Sequence, residues 1–431
     1  MIKSFAFSAG LMLSPEVLII VGHLAGRMPT VFLLLLGAGA LCHTLTSSVY
    51  SRVVHSQFGR FSGEAEFIRH ALGPRHALVF SLFPRLLMFF CLATSVLATA
   101  GYALNEVFVY WFPNLGFSFC LIGLILALNL AGERAVNLGQ VLFVSVSILG
   151  LLVLVIVGFA RLDSFGSAAP LVASPGHEVL DHLFWPLAVF VGFELSLFSW
   201  TGRNPGLFPV RAMVSAILGI GSLLALWGLV SLAHVSSERL TESTLPHALA
   251  ARVIMGQWGR IIMGVAVISS ACGAVNVLLA SVSRLMSTMA QDGLIPKVLV
   301  QIRGFRLVPP LLLGGGVFAM LGAGMAGKPI LSDFTLAATW FWLASYGAMH
   351  LSFQLKRGFM PGEWRVFRQR IMGLLSFGAL LFICFALVAF FFSLNRPDAF
   401  KLVEILIAVL AFSVAGSAVL LRLGREGARS F

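Results

Sequence analysis

The sequence predicts an all-α membrane protein with about twelve transmembrane helices, and three observations carry that expectation. Of 431 residues, 59% are hydrophobic and only 11% are charged, whereas soluble globular chains carry about a quarter charged residues. The mean hydropathy is +0.97, and apolar runs of about 18 to 25 residues, long enough to cross a bilayer as helices, recur along the whole chain. The basic residues are sorted by side once those runs are treated as spans. A soluble enzyme and a disordered regulator are both excluded by this composition.

The runs fall at about 5–24, 30–50, 78–103, 115–130, 138–159, 183–200, 210–232, 261–286, 308–325, 335–353, 371–392 and 403–421. An even number puts both termini on one side. The lead-in to the first run carries only Lys3, so no cleavable leader is expected there. With the N-terminus inside, twenty of the 29 Lys and Arg fall in cytoplasmic segments or helix ends. Eight fall outside, and Arg85 lies within a span. That asymmetry explains the formal charge of +12 without nucleic acid, and it predicts a multi-pass protein of the cell (inner) membrane with cytoplasmic termini. Only four connections are long, at 51–77, 161–182, 233–260 and 287–307, which leaves no room for a soluble domain; residues 1–431 are expected to form one transmembrane domain. Within the third, residues 236–243 read as an exposed loop and 245–256 as a short amphipathic surface helix. Five cysteines, Cys42, Cys91, Cys120, Cys272 and Cys384, stand singly in apolar stretches and read as core or lipid-facing residues, not as metal or redox pairs.

Two spans carry a pattern that an ordinary spanning helix does not need. The first contains Ser8, Ala9, Gly10, Leu11 and Met12, then Ser14, Pro15 and Glu16; the sixth contains Phe190, Val191, Gly192, Phe193 and Glu194. Small residues and a proline beside acidic side chains in mid-membrane suggest interrupted helices, since backbone freed there must find partners or line a cavity. Interruptions in the first and sixth positions are expected when two five-helix inverted repeats enclose a midplane site. The half-helix N-termini then offer free N–H groups to a carboxylate, and the opposed C-terminal carbonyls suit an ammonium or cation. Close helix packing through small residues accounts for the same glycines equally well.

At these residues the chain resembles the amino acid, polyamine and organocation (APC) transporter superfamily. SAGLMLSP at 8–15 is similar to GSGIFxxP of the first helix, NLAG at 129–132 to NxxG after the fourth, and FVGFE at 190–194 to FxGxE of the sixth. NPGLFPVRA at 204–212 resembles NPxxxxPRA with its second proline one position early. SRLMSTMAQDGLIPKVL at 283–299 is similar to SRxLYAMARDGxxPxxL at the cytoplasmic end of the eighth helix. The resemblance implies a LeuT-like 5+5 inverted repeat with helices 1 and 6 broken: repeat one at about 5–160, repeat two at about 183–355, and two further helices at about 371–421. It also implies alternating access to a central site. Departures lie at Ser62, Gly63, Ala65 and Phe67, where a Gly pair and Tyr are usual, at Ser287 and Gln291 in the eighth-helix signature, and at Thr201, Gly202 and Arg203 before the NP pair.

The expected function is secondary transport of an amino acid or related amine, with an exporter or a non-transporting amino acid sensor on the same fold as the alternatives. The substrate cradle is expected at Ser8, Ala9, Gly10, Leu11 and Met12 with Phe190, Val191, Gly192 and Phe193. A neutral or apolar substrate is favoured, because few fixed charges are available. Glu194, costly in mid-membrane, takes a gating and proton-sensitive role in similar permeases, or else bonds unwound backbone. Glu16 reads either as a coupling group or as an acidic residue satisfying the amides of the outer half-helix. Ser269 and Ser270 match a hydroxyl pair that sodium-coupled relatives use with first-helix carbonyls, though serine pairs are also packing devices. H+ or Na+ is therefore the possible coupling ion, and no other cofactor is expected. Arg85 is expected to snorkel towards the cytoplasm. His23, His43 and His350 lack metal-ligand spacing. Trp340, Phe341, Trp342 and Tyr346 are candidates for an aromatic wall with Phe190 and Phe193. No phosphate loop, HExxH or catalytic carboxylate pair occurs, so no enzyme activity is expected; the partners are a small-molecule substrate and the lipid bilayer.

Overall fold

The computed structural model describes residues 1–55, 64–162, 176–199, 208–300, 307–356 and 366–429. Ser62, Gly63, Thr201, Gly202, Arg203, Asn204 and Pro205 lie outside these, as do Arg60, Arg303, Arg306, Arg357 and Arg365 of the orientation count. Among the described residues every element is helical. Eight helices among the described residues are long and apolar enough to cross a bilayer, and a bent pair at the start makes a ninth candidate.

That pair is α1 (Ile2–Met12) and α2 (Pro15–Arg27), which meet at 59°. The break has a local cause. Pro15 has no N–H to continue the ladder and is well placed as a first helical residue, so Ser14 is left extended and α2 starts afresh. After α3 (Phe32–His55) the chain forms α4 (Glu64–Leu72) and α5 (Pro74–Ala77), and then a π-helical turn, Leu78–Leu82, leads into α6 (Phe83–Val107). Next come α7 (Asn114–Leu130), α8 (Glu133–Ala160) and α9 (Gly176–Asp181).

The sixth predicted span is the second interruption. Helix α10 (Phe184–Val189) stops, Gly192 takes a φ of +90°, and a 3₁₀ turn follows at Phe193–Ser199. A side chain at Gly192 would be strained by that φ, and its Cβ would also sit 2.6 Å from Leu11 Cδ2. Glycine here thus permits both the kink and the close approach of the two broken elements.

The remaining helices are α11 (Phe208–His234), α12 (Ser237–Glu242), α13 (Pro246–Met255), α14 (Gln257–Gln291), α15 (Val308–Gly322), α16 (Pro329–Lys356), α17 (Val366–Ser393) and α18 (Arg396–Arg429). At 35 residues, α14 is roughly 50 Å long. It packs on α6, α8 and α1, and its middle is almost wholly buried. By contrast, α17 and α18 expose many large apolar side chains, such as Phe377, Phe392 and Phe412, as a lipid-facing rim would.

Residues 236–243, expected as an exposed loop, instead contain α12. Leu240 is fully buried there and the helix packs on α2, close enough that a Cβ at Gly26 would lie 2.8 Å from the Ser237 carbonyl. The loop-like composition concealed one apolar anchor in a polar stretch. Helix α13 is amphipathic as expected, burying His247, Ala250, Ala251 and Ile254 and exposing Val253. Cys42, Cys91 and Cys272 are buried, and Cys120 and Cys384 are exposed.

Candidate functional site

The two interruptions are bonded to each other. Ser8 Oγ donates to the Phe193 carbonyl at 2.5 Å, and Ser199 Oγ donates to Ser4 Oγ at 2.8 Å. Gln140 of α8 donates to the Ala6 carbonyl of α1 at 3.0 Å. Asn276 of α14 donates to Gln140 Oε1 and to the Val136 carbonyl, and accepts from Asn129 of α7. Gly10 leaves room for this network: its Cβ would lie 2.3 Å from Gln140 Nε2. Three polar side chains inside apolar helices thus tie α1 to its neighbours, and Gln140 and Asn276 were not among the residues that the sequence singled out.

Around Glu194 the structure gathers a second network. Glu194 is 0% exposed. Its Oε1 accepts from Arg85 Nη2 at 2.7 Å and from Trp342 Nε1 at 2.9 Å, while its Oε2 accepts from the Tyr346 hydroxyl at 2.6 Å. The same hydroxyl accepts the Gly192 N–H at 3.0 Å. A backbone group freed by the kink is therefore linked through one phenol to the carboxylate two residues on, so the charge on Glu194 is coupled to the shape of the interruption.

Arg85 does not snorkel. It is 1% exposed and bridges two carboxylates, donating to Glu64 Oε2 at 2.7 Å and Oε1 at 3.3 Å as well as to Glu194. It also donates to the Ser81 carbonyl at 2.8 Å and lies over the Trp342 ring. The expectation failed because one of the two counter-charges comes from α4, a helix outside the spans, and the other from the sixth span. Glu64 is 5% exposed and also accepts from the Tyr50 hydroxyl at 2.5 Å. Burial pushes the Glu64 carboxyl above the usual carboxylate range and nearby Glu194 adds to this, against the pull of Arg85. Two carboxylates facing one guanidinium form an odd-charged buried set that is balanced by one added proton.

On the other side of the interruptions lies a half-open cleft of about 390 Å³ between α2, α6, α10 and the start of α16. Of the expected cradle, Leu11 and Val191 line it. Ser8, Ala9, Gly10, Met12, Phe190, Gly192 and Phe193 are buried behind that surface. Glu16 lines the cleft, and its Oε1 accepts from Ser95 of α6 at 2.8 Å. Ser95 is a site residue that sequence reasoning missed. Ser269 donates to the Phe143 carbonyl of α8, and Ser270 to Val267 of its own helix.

Trp342 and Tyr346 of the expected aromatic wall serve as donors to Glu194, and the Tyr346 ring sits 5.3 Å from that of Phe193. Trp340 packs instead on Phe341 and Phe391. His23 bonds the Ser243 carbonyl, His43 the Gly39 carbonyl, and His350 joins Thr46 and Ser376.

A family model described as amino acid permease matches residues 1–415. The chain belongs to the amino acid permease family. Relatives from three strains of Escherichia coli, each a D-serine/D-alanine/glycine transporter, are 24% identical over 251 residues, 53% of this chain and 53% of theirs. The chain thus spans about half the length of the curated relatives it matches. Among solved structures, the permease chain is similar to the manganese transporter of Eremococcus coleocola. A histidine-to-alanine mutant of that protein gives a TM-score of 0.60 at 14% identity, covering 98% of this chain and 94% of the other. A glutamate-to-glutamine mutant gives 0.55 at 15% identity over the same shares. At such identity the likeness is one of fold.

Proposed function

We propose that this permease is a secondary transporter that carries an amino acid or related amine across the cell membrane by alternating access. Its twelve spans form two inverted five-helix repeats, at about 5–160 and 183–355, followed by two further helices, and both termini are cytoplasmic. The observation that carries the reading is the direct bonding of two interrupted helices beside a cleft of about 390 Å³. That volume lies within the range of small-ligand pockets, and broken helices at a repeat interface are where transporters of this architecture bind solutes.

The coupling ion in this reading is H+. Glu194 is joined to the backbone of one interruption through Tyr346 and to α4 through Arg85. Protonating it weakens the Arg85 bond and releases the sixth span from α6, which is a local charge change acting on a two-state element. Ser269 and Ser270 are the sodium alternative, and their engagement with the Phe143 and Val267 carbonyls favours the proton.

Uptake of labelled amino acids and amines into proteoliposomes separates these possibilities. An inward proton gradient is expected to drive accumulation, a sodium gradient is not, and Glu194→Gln is expected to abolish the pH response. No flux above protein-free liposomes, with saturable binding retained, contradicts transport. A sodium-driven flux contradicts proton coupling.

A further inference from the structure

The cleft already contains a carboxylate where a zwitterionic solute would have to put its own. Glu16 stands in the first turn of α2, directly after Pro15, and its carboxylate faces its own backbone N–H. The start of such a half-helix is the pole that would hold a substrate carboxylate, since its amides are free and its dipole favours negative charge. Ser95 holds Oε1, while Oε2 is buried and has no hydrogen-bond partner among the described residues.

The rest of the lining sharpens the chemistry. Leu11, Ile20, Leu92 and Val191 give it an apolar wall, and among the described residues no Lys or Arg lines it. The acidic group at its rim, Asp333, is paired with Lys401 at 2.5 Å, and His23 is engaged with the Ser243 carbonyl. A second carboxylate brought into this cleft would meet the Glu16 carboxyl in a low-dielectric site with no free cation among the described lining residues to offset it. An ammonium would meet an unsatisfied acceptor instead, and charge-assisted hydrogen bonds of that kind are the strong ones.

Resting on the permease reading above, we infer that the cleft selects a primary amine with an apolar body and no carboxylate. Glu16 is its specificity-determining residue: its carboxylate receives the ammonium, Ser95 holds that carboxylate in place, and the hydrocarbon lies along the apolar wall.

The test uses purified full-length protein and matched pairs: leucine with 3-methylbutylamine, and phenylalanine with 2-phenylethylamine. Affinities come from ligand-dependent thermal stabilisation. Each amine is expected to bind at least about tenfold more tightly than its parent amino acid, and Glu16→Gln to weaken the amine about tenfold or more. Glu16→Gln is also expected to strengthen binding of the parent amino acid, a gain that a misfolded variant cannot produce, and Glu16→Asp to keep the amine preference. Tighter binding of the amino acids by the unaltered protein, or a preference that Glu16→Gln leaves unchanged, overturns the assignment while leaving the permease reading intact. Binding of neither member of either pair, together with no flux of any amino acid or amine, overturns both.

Discussion

Replacing Arg85 with Met is the perturbation with the largest expected effect on the fold. The guanidinium makes four hydrogen bonds, two to Glu64, one to Glu194 and one to the Ser81 carbonyl. Methionine keeps much of the apolar stem and removes all four. Glu64 is then left with the Tyr50 hydroxyl, and Glu194 with Trp342 and Tyr346. Removing one partner of a buried ion pair costs about 3–5 kcal/mol, because the other charge stays buried and unpaired. Glu64→Gln, which removes one of two carboxylates from the set, is expected to cost only about 1 kcal/mol. The pair Arg85→Met with Glu64→Gln should therefore lose at least about 1 kcal/mol less than the sum of the single changes, since one of the two charges that Arg85→Met strands is no longer present. Equilibrium unfolding in detergent micelles measures all three. A loss under about 1 kcal/mol for Arg85→Met, or strict additivity in the double variant, refutes the bridging role.

Other outcomes follow from the same geometry. Gly192→Ala forces a side chain into a positive φ and against Leu11, and a loss of about 1–3 kcal/mol in unfolding free energy is expected; an unchanged value would mean that the two interruptions do not meet as described. Asn276→Ala strips Gln140 and Asn129 of a shared partner, so a loss of about 1–3 kcal/mol is expected by the same measurement, whereas the exposed Val253→Ala on α13 should cost under about 0.5 kcal/mol. Burial, with His23 nearby, lowers the pKa of His247 to about 4 from the usual 6.5. Because the folded state holds this ring neutral, its contribution is complete above pH 6.5 and lost as pH falls towards 4, up to about 3 kcal/mol. Hydrogen exchange at α13, corrected for intrinsic rates, should accelerate from pH 7 to pH 4.5, and His247→Gln should remove that acceleration; equal protection at both pH values contradicts it.

The interruptions were legible because their cause is local. Ser14 followed by Pro15, and Gly192 beside Glu194, state in a few residues that the ladder cannot continue, and family motifs cover both stretches. The charge network was not legible, although Arg85 and Glu194 each stood out and Glu64 and Tyr50 did not. Arg85 in a span suggested snorkelling, because nothing in the order of residues says that Glu64, 21 positions earlier and across a connection, folds back beneath it. Glu16 and Ser95 are 79 positions apart, and a lone serine in an apolar span has no feature that marks a partner. Residues 236–243 failed for a different reason: polar composition describes the exposed face of α12, and only Leu240 carries the packing that makes it a helix.

In the proposed mechanism the solute sits in the hollow between the two interrupted helices. Val191 lines that hollow from the sixth span, so Val191→Cys in a background with the exposed Cys120 and Cys384 replaced by Ser gives a direct probe. In proteoliposomes, a small charged thiol reagent is predicted to block flux, and a transported amine or amino acid is predicted to slow that block in proportion to its occupancy. Modification at the same rate with and without a saturating transported solute would mean that the solute binds elsewhere.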